Sequence, residues 1–310
     1  MAALICGSIA YDNIMVFPDS FKNHILPEQI HILNVAFLVP EMRREFGGCA
    51  LNIAYNLKLL GEDPLPMGTA GSDFHPYQDW LQRWSIRGDH IRVLDDVFTA
   101  QAFITTDLDD NQITAFHPGA MNLSHLNKIA DAADATLAMV SPDGREGMLT
   151  HAADLAERDI PFIFDPGQGL PMFNGEELRC FVEQATWVTV NDYEWQLLKE
   201  RTGWDIADLK QRVDALIVTR GDKGSLIYTR DEELEIPAAK PSAVVDPTGC
   251  GDAYRAGLLF GLMRNLDWKT TGRIASLMGA IKIESHGTQN HHFTEPEFAQ
   301  RYRASFGEIF

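Results

Sequence analysis

Short apolar runs alternate with segments of helical period along most of this chain. The runs Leu4 to Ile9, Thr136 to Val140, Phe162 to Asp165, Trp187 to Val190, Leu216 to Thr219, Ser225 to Tyr228 and Ala243 to Asp246 read as strands. Helical patterns occupy Ala54 to Leu60, Leu149 to Arg158, Glu176 to Glu183, Asp192 to Arg201 and Ile206 to Val213. Two longer ones, Asp252 to Leu266 and Lys269 to Ser285, close the fold. This alternation predicts βαβ units and a largely parallel sheet, hence an α/β fold. In open sheets of that kind ligands collect outside the carboxyl ends of the strands. Asp12, Asp165, Asn191, Gly221 and Gly249 all fall there.

Two segments break the alternation. Asn13 to Phe46 carries Phe17, Phe21, His24, His31 and Phe37 without a clear helical period. Ala100 to Leu108 and Gln112 to His117 read as two strands of a hairpin around an Asp109-Asp110-Asn111 turn. No internal repeat, low-complexity tract or linker is visible, and 310 residues suit one large domain over residues 1–310 with a small appendage.

Charge narrows the partners. A formal net charge of -18 argues against nonspecific binding to nucleic acid or an anionic membrane, which need a basic footprint. An anionic nucleotide would have to be held by local amides and metal. The apolar start, Met1 to Ala10, lacks a basic flank and runs into Asp12, and no apolar run reaches membrane-spanning length. Cys6, Cys49, Cys180 and Cys250 have no Cys-x-x-Cys spacing, which speaks against zinc or a disulfide framework. A reducing cytoplasm is the expected location.

Candidate chemistry centres on Asp246-Pro247-Thr248-Gly249-Cys250-Gly251-Asp252. It follows a β-branched run and opens a long amphipathic segment, so it reads as a strand, a glycine-rich turn and a helix N-terminus. Unpaired amides there, with glycines allowing close approach, make a site for a phosphate or a developing anion. Asp252 beside such a site is locally unfavourable, and accepting a proton from an attacking hydroxyl would account for it. A second glycine motif, Gly47-Gly48-Cys49-Ala50-Leu51-Asn52, precedes the helical pattern from Ala54.

Together, in this order and at opposite ends of the chain, the two motifs resemble the signatures of the ribokinase-like (PfkB) carbohydrate and nucleoside kinases. Gly7-Ser8-Ile9-Ala10-Tyr11-Asp12, Gly71-Ser72-Asp73, Asn191-Asp192-Tyr193-Glu194 and Thr219-Arg220-Gly221-Asp222-Lys223-Gly224 fall where that family has such elements. The resemblance implies a ribokinase-like three-layer sandwich with a mostly parallel central sheet. It also implies a small β lid, formed here by segments about 13–46 and 98–118.

The resemblance further implies roles. Asp252 would be the base, with the amides of Gly249, Cys250 and Gly251 as the anion hole. Asn191, Thr219, Gly221 and Gly224, with Gly249 and Gly251, would line ATP, and Glu194 would organise Mg²⁺ through water. Asp12 and Asn52 would grip vicinal sugar hydroxyls, with Gly47 and Gly48 beneath the sugar. Gly287-Thr288-Gln289-Asn290 would edge the adenine pocket, a helix C-cap being the alternative for Gly287. Phe103 and Phe116 on the hairpin would wall a nucleobase, self-packing of the lid being their other reading. A thiol at Cys250 would have its pKa lowered by the helix amides and raised by Asp246 and Asp252. Pro247 departs from the commoner threonine, so no potassium requirement is inferred. The expected activity is ATP-dependent phosphorylation of a nucleoside 5′-hydroxyl, adenosine first, the alternatives being a ribose or fructose kinase and a non-catalytic ligand sensor. Relatives pair through their lids, so a homodimer is an expected partner arrangement.

Overall fold

The computed structural model describes residues 2–25, 32, 34–109 and 111–310, so His31 and Asp110 lie outside the described residues. The first half comprises β1 (Ala2–Cys6), β2 (Ala10–Val16), β3 (Glu41–Gly47), α1 (Cys49–Leu59), β4 (Leu65–Gly71), α2 (His75–Arg83), β5 (His90–Leu94), β6 (Ala100–Thr106), β7 (Gln112–His117) and β8 (Ala135–Val140). Next come α3 (Arg145–Glu157), β9 (Phe162–Phe164), α4 (Gly175–Gln184), β10 (Trp187–Asn191), α5 (Asp192–Thr202) and α6 (Ile206–Leu209). The chain ends through β11 (Ala215–Thr219), β12 (Ser225–Thr229), β13 (Glu233–Ile236), α7 (Cys250–Met263), α8 (Trp268–Lys282) and α9 (Glu295–Phe306).

Nine strands form one sheet in the order β13-β12-β11-β10-β9-β8-β1-β4-β5. It is parallel from β11 to β5, with β12 and β13 antiparallel at one edge. Parallel strands covered on both faces must be apolar on both, and β1 shows this. Ala3 and Ile5 pack on one side with Leu57 of α1, Leu258 of α7 and Met278 of α8. Leu4 and Cys6 pack on the other with Leu155 of α3, Leu178 of α4 and Leu198 of α5. Three layers result, as the α/β reading requires.

The remaining strands form a second sheet in the order β3-β2-β6-β7, in which β2 and β6 are parallel and the outer pairs antiparallel. The predicted hairpin is β6 and β7, and the irregular excursion after Asp12 contributes β2 and β3. Asp107 holds the excursion to the hairpin by accepting from the Phe21 amide at 2.8 Å.

The expected strand Ala243 to Asp246 is absent. That segment pairs with no strand; the amides of Val245 and Asp246 donate instead to the Ile283 carbonyl beyond α8, and Val244 is exposed. β-branched residues favour extended backbone, but sheet membership needs a free neighbouring edge. Expected helix Ile206 to Val213 stops at Leu209. Strand β4 went unread because Pro66 and Gly68 interrupt its run, although every residue in it is buried.

Candidate functional site

The Gly7-Ser8 and Gly47-Gly48 motifs hold each other. Gly48 has φ +91°, and a Cβ there would fall 2.5 Å from the Ser8 carbonyl oxygen and 2.6 Å from the Ala10 nitrogen, so only glycine lets α1 start against the β1–β2 link. Ser8 satisfies that helix start from outside: its Oγ accepts from the Cys49 amide at 3.1 Å and its carbonyl from the Ala50 amide at 3.1 Å. Asp12 follows on β2, where a Cβ on Gly47 would meet its Oδ2 at 2.8 Å. Burial, then the charges of Glu45 and Asp246, push the Asp12 carboxyl up to about 6.

At the other motif, Gly249 caps α7 with φ +78°. The Cys250 amide donates to the Pro247 carbonyl at 3.2 Å, whereas the amides of Gly249 and Gly251 have no protein acceptor among the described residues. The expected anion hole therefore loses one of its donors to a turn. Asp252 stands in the first turn of α7, half-buried, and burial with the nearby Asp165 charge pushes it up to about 6 against the Asn52 hydrogen bond and Arg255.

Asn52 is bonded to the expected base itself. Its Nδ2 donates to Asp252 Oδ2 at 2.8 Å, while its Oδ1 accepts from Gln289 Nε2 at 2.9 Å. Gln289 also donates to Tyr77 Oη at 2.6 Å and accepts from Trp80 Nε1 at 2.9 Å. The indole can only donate, so it fixes which end of the Gln289 amide is oxygen, and that fixes Asn52 in turn. Gln289 was expected to edge adenine; it is buried, with Asn52, Tyr77 and Trp80 as its side-chain partners.

The expected ATP side rests on caps and a buried ion pair. Asn191 is the N-cap of α5 and Glu194 its N3 residue. Asn191 Oδ1 accepts from the Glu194 amide at 2.8 Å, and Glu194 Oε2 from the Asn191 amide at 2.7 Å. Arg255 follows Asp252 by three residues, on the same face of α7. It donates from Nε and Nη2 to Asp165 at 3.0 and 2.9 Å, and Nη2 lies 4.0 Å from Glu194 Oε2. Both partners of the bidentate pair are nearly inaccessible to water. Burial raises the Glu194 pKa, as does Asp165, while Arg255 opposes.

These groups line one cleft of about 890 Å³, bounded by Asp12, Gly48, Asn52 and Phe116 on one side and Asn191, Glu194, Thr219 and Gly221 on another, with Gly249, Gly251 and Asp252. Four expected residues do not line it. Gly47 stays behind the cleft against the Asp12 carboxylate. Phe103 pairs with Ala115, one register step from the Ala102–Phe116 pair, and so faces away from the cleft. Gly224 is packed on the end of β13, where a Cβ would meet the Ile236 carbonyl, so it closes a turn outside the cleft. Cys250 does not line the cleft, and its thiol is pushed up to about 11 by burial, with Asp246 and Asp252 adding and Lys282 opposing. Cys49 does line it. The helix amides were expected to lower the Cys250 pKa against Asp246 and Asp252; removal from water raises it.

The family model of the pfkB family carbohydrate kinases matches residues 12–294. The chain belongs to the PfkB family. Its members' chemistry is ATP-dependent phosphoryl transfer to a hydroxyl, and this PfkB chain is an enzyme of that kind. Within the family the similarity runs to nucleoside kinases. The structure of Burkholderia thailandensis nucleoside kinase in complex with inosine is 53% identical, with TM-score 0.90 over 99% of both chains. The Methanocaldococcus jannaschii nucleoside kinase structure is 30% identical, with TM-score 0.88 over 98% of both. The Methanothermobacter thermautotrophicus nucleoside kinase is 32% identical over 98% of this chain and 96% of its own.

Sequence reasoning about this PfkB kinase missed Arg255 and Trp80, and named Gln289 for a different contact. The Asp252-x-x-Arg255 spacing was the available signal for Arg255. Nothing local signals that Trp80 and Gln289, 209 residues apart, meet.

Proposed function

We propose that this enzyme phosphorylates the 5′-hydroxyl of a purine nucleoside, adenosine being the acceptor expected first. The observation that carries the proposal is the single cleft that joins Asp252 and the free Gly249 and Gly251 amides to a lid wall containing Asp12, Ala102, Ile104 and Phe116. The apolar part of that wall suits a flat base, and Asp12 suits vicinal ribose hydroxyls. Asn52 keeps one amide hydrogen and one lone pair for the sugar after bonding Asp252 and Gln289. The inosine complex of the Burkholderia protein brings a 6-oxopurine into consideration beside adenosine.

The chemistry follows from these positions. The 5′-oxygen attacks the γ-phosphorus in line, its proton passes to the Asp252 carboxylate, and the bond from the γ-phosphorus to the β–γ bridging oxygen breaks as ADP leaves. The Gly249 and Gly251 amides stabilise the charge on the transferred group. Asn191, Thr219 and Gly221 line the ATP side. No group of three or more His, Cys, Asp or Glu able to hold a metal directly occurs among the described residues. A magnesium ion, which keeps most of its waters and binds phosphate, fits Glu194 at the cleft wall through one of those waters. It would neutralise phosphate charge. The reading includes a reducing cytoplasm, where free Cys6, Cys49, Cys180 and Cys250 stay unpaired, and pairing of two copies through the lid, whose edge strand β7 is exposed along its length. Among the described residues no helix is long and apolar enough to cross a membrane.

The test is a steady-state panel of adenosine, inosine, guanosine, cytidine, ribose and fructose with MgATP. Purine nucleosides are expected to exceed the free sugars in kcat/KM by about 10² or more. Preference for ribose or fructose would make it a sugar kinase, and binding without turnover would make it a sensor.

A further inference from the structure

Lys282, the last residue of α8, is completely buried. Its Nζ donates to the Asp246 carbonyl at 2.8 Å and the Ser285 carbonyl at 3.1 Å. No carboxylate forms an ion pair with it among the described residues. The Asp246 carboxylate, which attracts it electrostatically, is already held by two amides: Oδ1 accepts from Thr248 and Oδ2 from Gly287, each at 2.9 Å. An ammonium taken out of water and left with carbonyls for partners carries a desolvation cost that an apolar side chain in its place would avoid.

Its location supplies the reason. The Asp246 carbonyl begins the turn that presents the Gly249 and Gly251 amides to the cleft, and Ser285 begins the loop carrying Gly287 and Thr288. A Cβ on Gly249 would lie 3.0 Å from Thr288, so the two segments are in contact where the anion is to be held. The Asp246 carboxylate spans the same two segments from the other direction. A positive charge there adds to the field of the helix amides, and the fixed carbonyls keep those amides aimed.

We propose that the Lys282 ammonium is the built-in cation of the phosphoryl-transfer site, tying the Asp246 and Ser285 carbonyls together behind the Gly249 to Gly251 turn so that turnover needs no free monovalent cation. This rests on the kinase reading given above. The alternative role is cohesion at the C-terminus of α8, where a cation is favourable whatever the chain does.

Parent turnover with MgATP and its best purine nucleoside is compared in sodium, potassium, ammonium and tetramethylammonium chloride at one ionic strength. It is expected to be the same in each. Lys282→Met, close in shape but uncharged, should fold and lose about 10² in kcat, with a smaller change in the ATP KM. Lys282→Ala should lose as much and recover about tenfold in potassium or ammonium, which fit the vacated volume, but not in tetramethylammonium. A parent accelerated by potassium or ammonium overturns the proposal. So does a folded Lys282→Met with parent turnover, which would leave only the helix-end role, or a folded Lys282→Ala that recovers in no salt. If Lys282→Ala does not fold, the methionine variant and the parent salt series decide. A parent inactive on every acceptor would count against the proposed function, not against Lys282.

Discussion

Asn52 Nδ2 donates to Asp252 Oδ2 at 2.8 Å, so the residue expected to grip the sugar also orients the expected base. The bond lowers the Asp252 pKa, second only to burial among the influences on it and opposite in sign. Asp252→Asn should lower kcat by on the order of 10² to 10⁴ while leaving the ATP KM within a small factor, the worth of a positioned base. Unchanged turnover removes Asp252 from the mechanism.

The same substitution should raise Tm. Asp252 titrates at about 6 folded against a reference of 3.8, so the folded state binds more protons across that window and stability falls as pH rises through it. Asparagine has no charge to desolvate. The parent–variant difference in Tm should therefore be larger at pH 8 than at pH 5, and a difference independent of pH would contradict the raised pKa.

Gln289→Leu tests the positioning chain. Without its amide, Asn52 is free to turn away from Asp252, and the base loses a donor that favours its ionised form. The acidic limb of kcat/KM should move to higher pH and kcat should fall by about tenfold, with the ATP KM unchanged. A purely structural Gln289 would lower Tm without moving the pH profile.

Asp12 and Asp252, the carboxyls proposed to face the acceptor, are both pushed up to about 6. If both must be ionised to bind and activate the acceptor, log kcat/KM should fall below pH 6 with a slope approaching about two. A slope of one across pH 4.5 to 6 would show that only one of them matters.

The two lid phenylalanines should separate. Phe116→Ala should raise the nucleoside KM by about two- to tenfold, the worth of an aromatic contact, whereas Phe103→Ala should leave it unchanged because its ring faces away from the cleft. Equal effects would mean that the lid acts only as a whole.

Thiol chemistry should be slow at the site. Cys49 and Cys250 both have raised pKa values from burial, whereas Cys180 is exposed on α4. A small thiol reagent at pH 7 should label Cys180 first, with turnover retained. Inactivation that keeps pace with the first modification would place a reactive thiol in the cleft.

What the sequence determined by itself is the local grammar. Alternation of apolar runs and helical periods is enough for a parallel sheet, because β1 and β11 must be apolar on both faces to be covered on both. The glycines at 48 and 249 were legible for a similar reason: each marks a helix start where only that residue meets the backbone conformation and the approach required. Asp252 was legible because a carboxylate at an anion site calls for a chemical explanation. Tertiary structure decided what depends on meetings far apart in the chain. Whether Ala243 to Asp246 joined the sheet turned on a docking partner, the carbonyl of Ile283, not on its propensity. Phe103 and Phe116 are both aromatic and both on the hairpin, and only register places one in the cleft and the other outside it. The orientation of Asp252 by Asn52, Gln289, Tyr77 and Trp80, and the burial of Lys282 on two loop carbonyls, have no local signature. A hydrogen bond between distant segments constrains geometry and leaves no period along the chain.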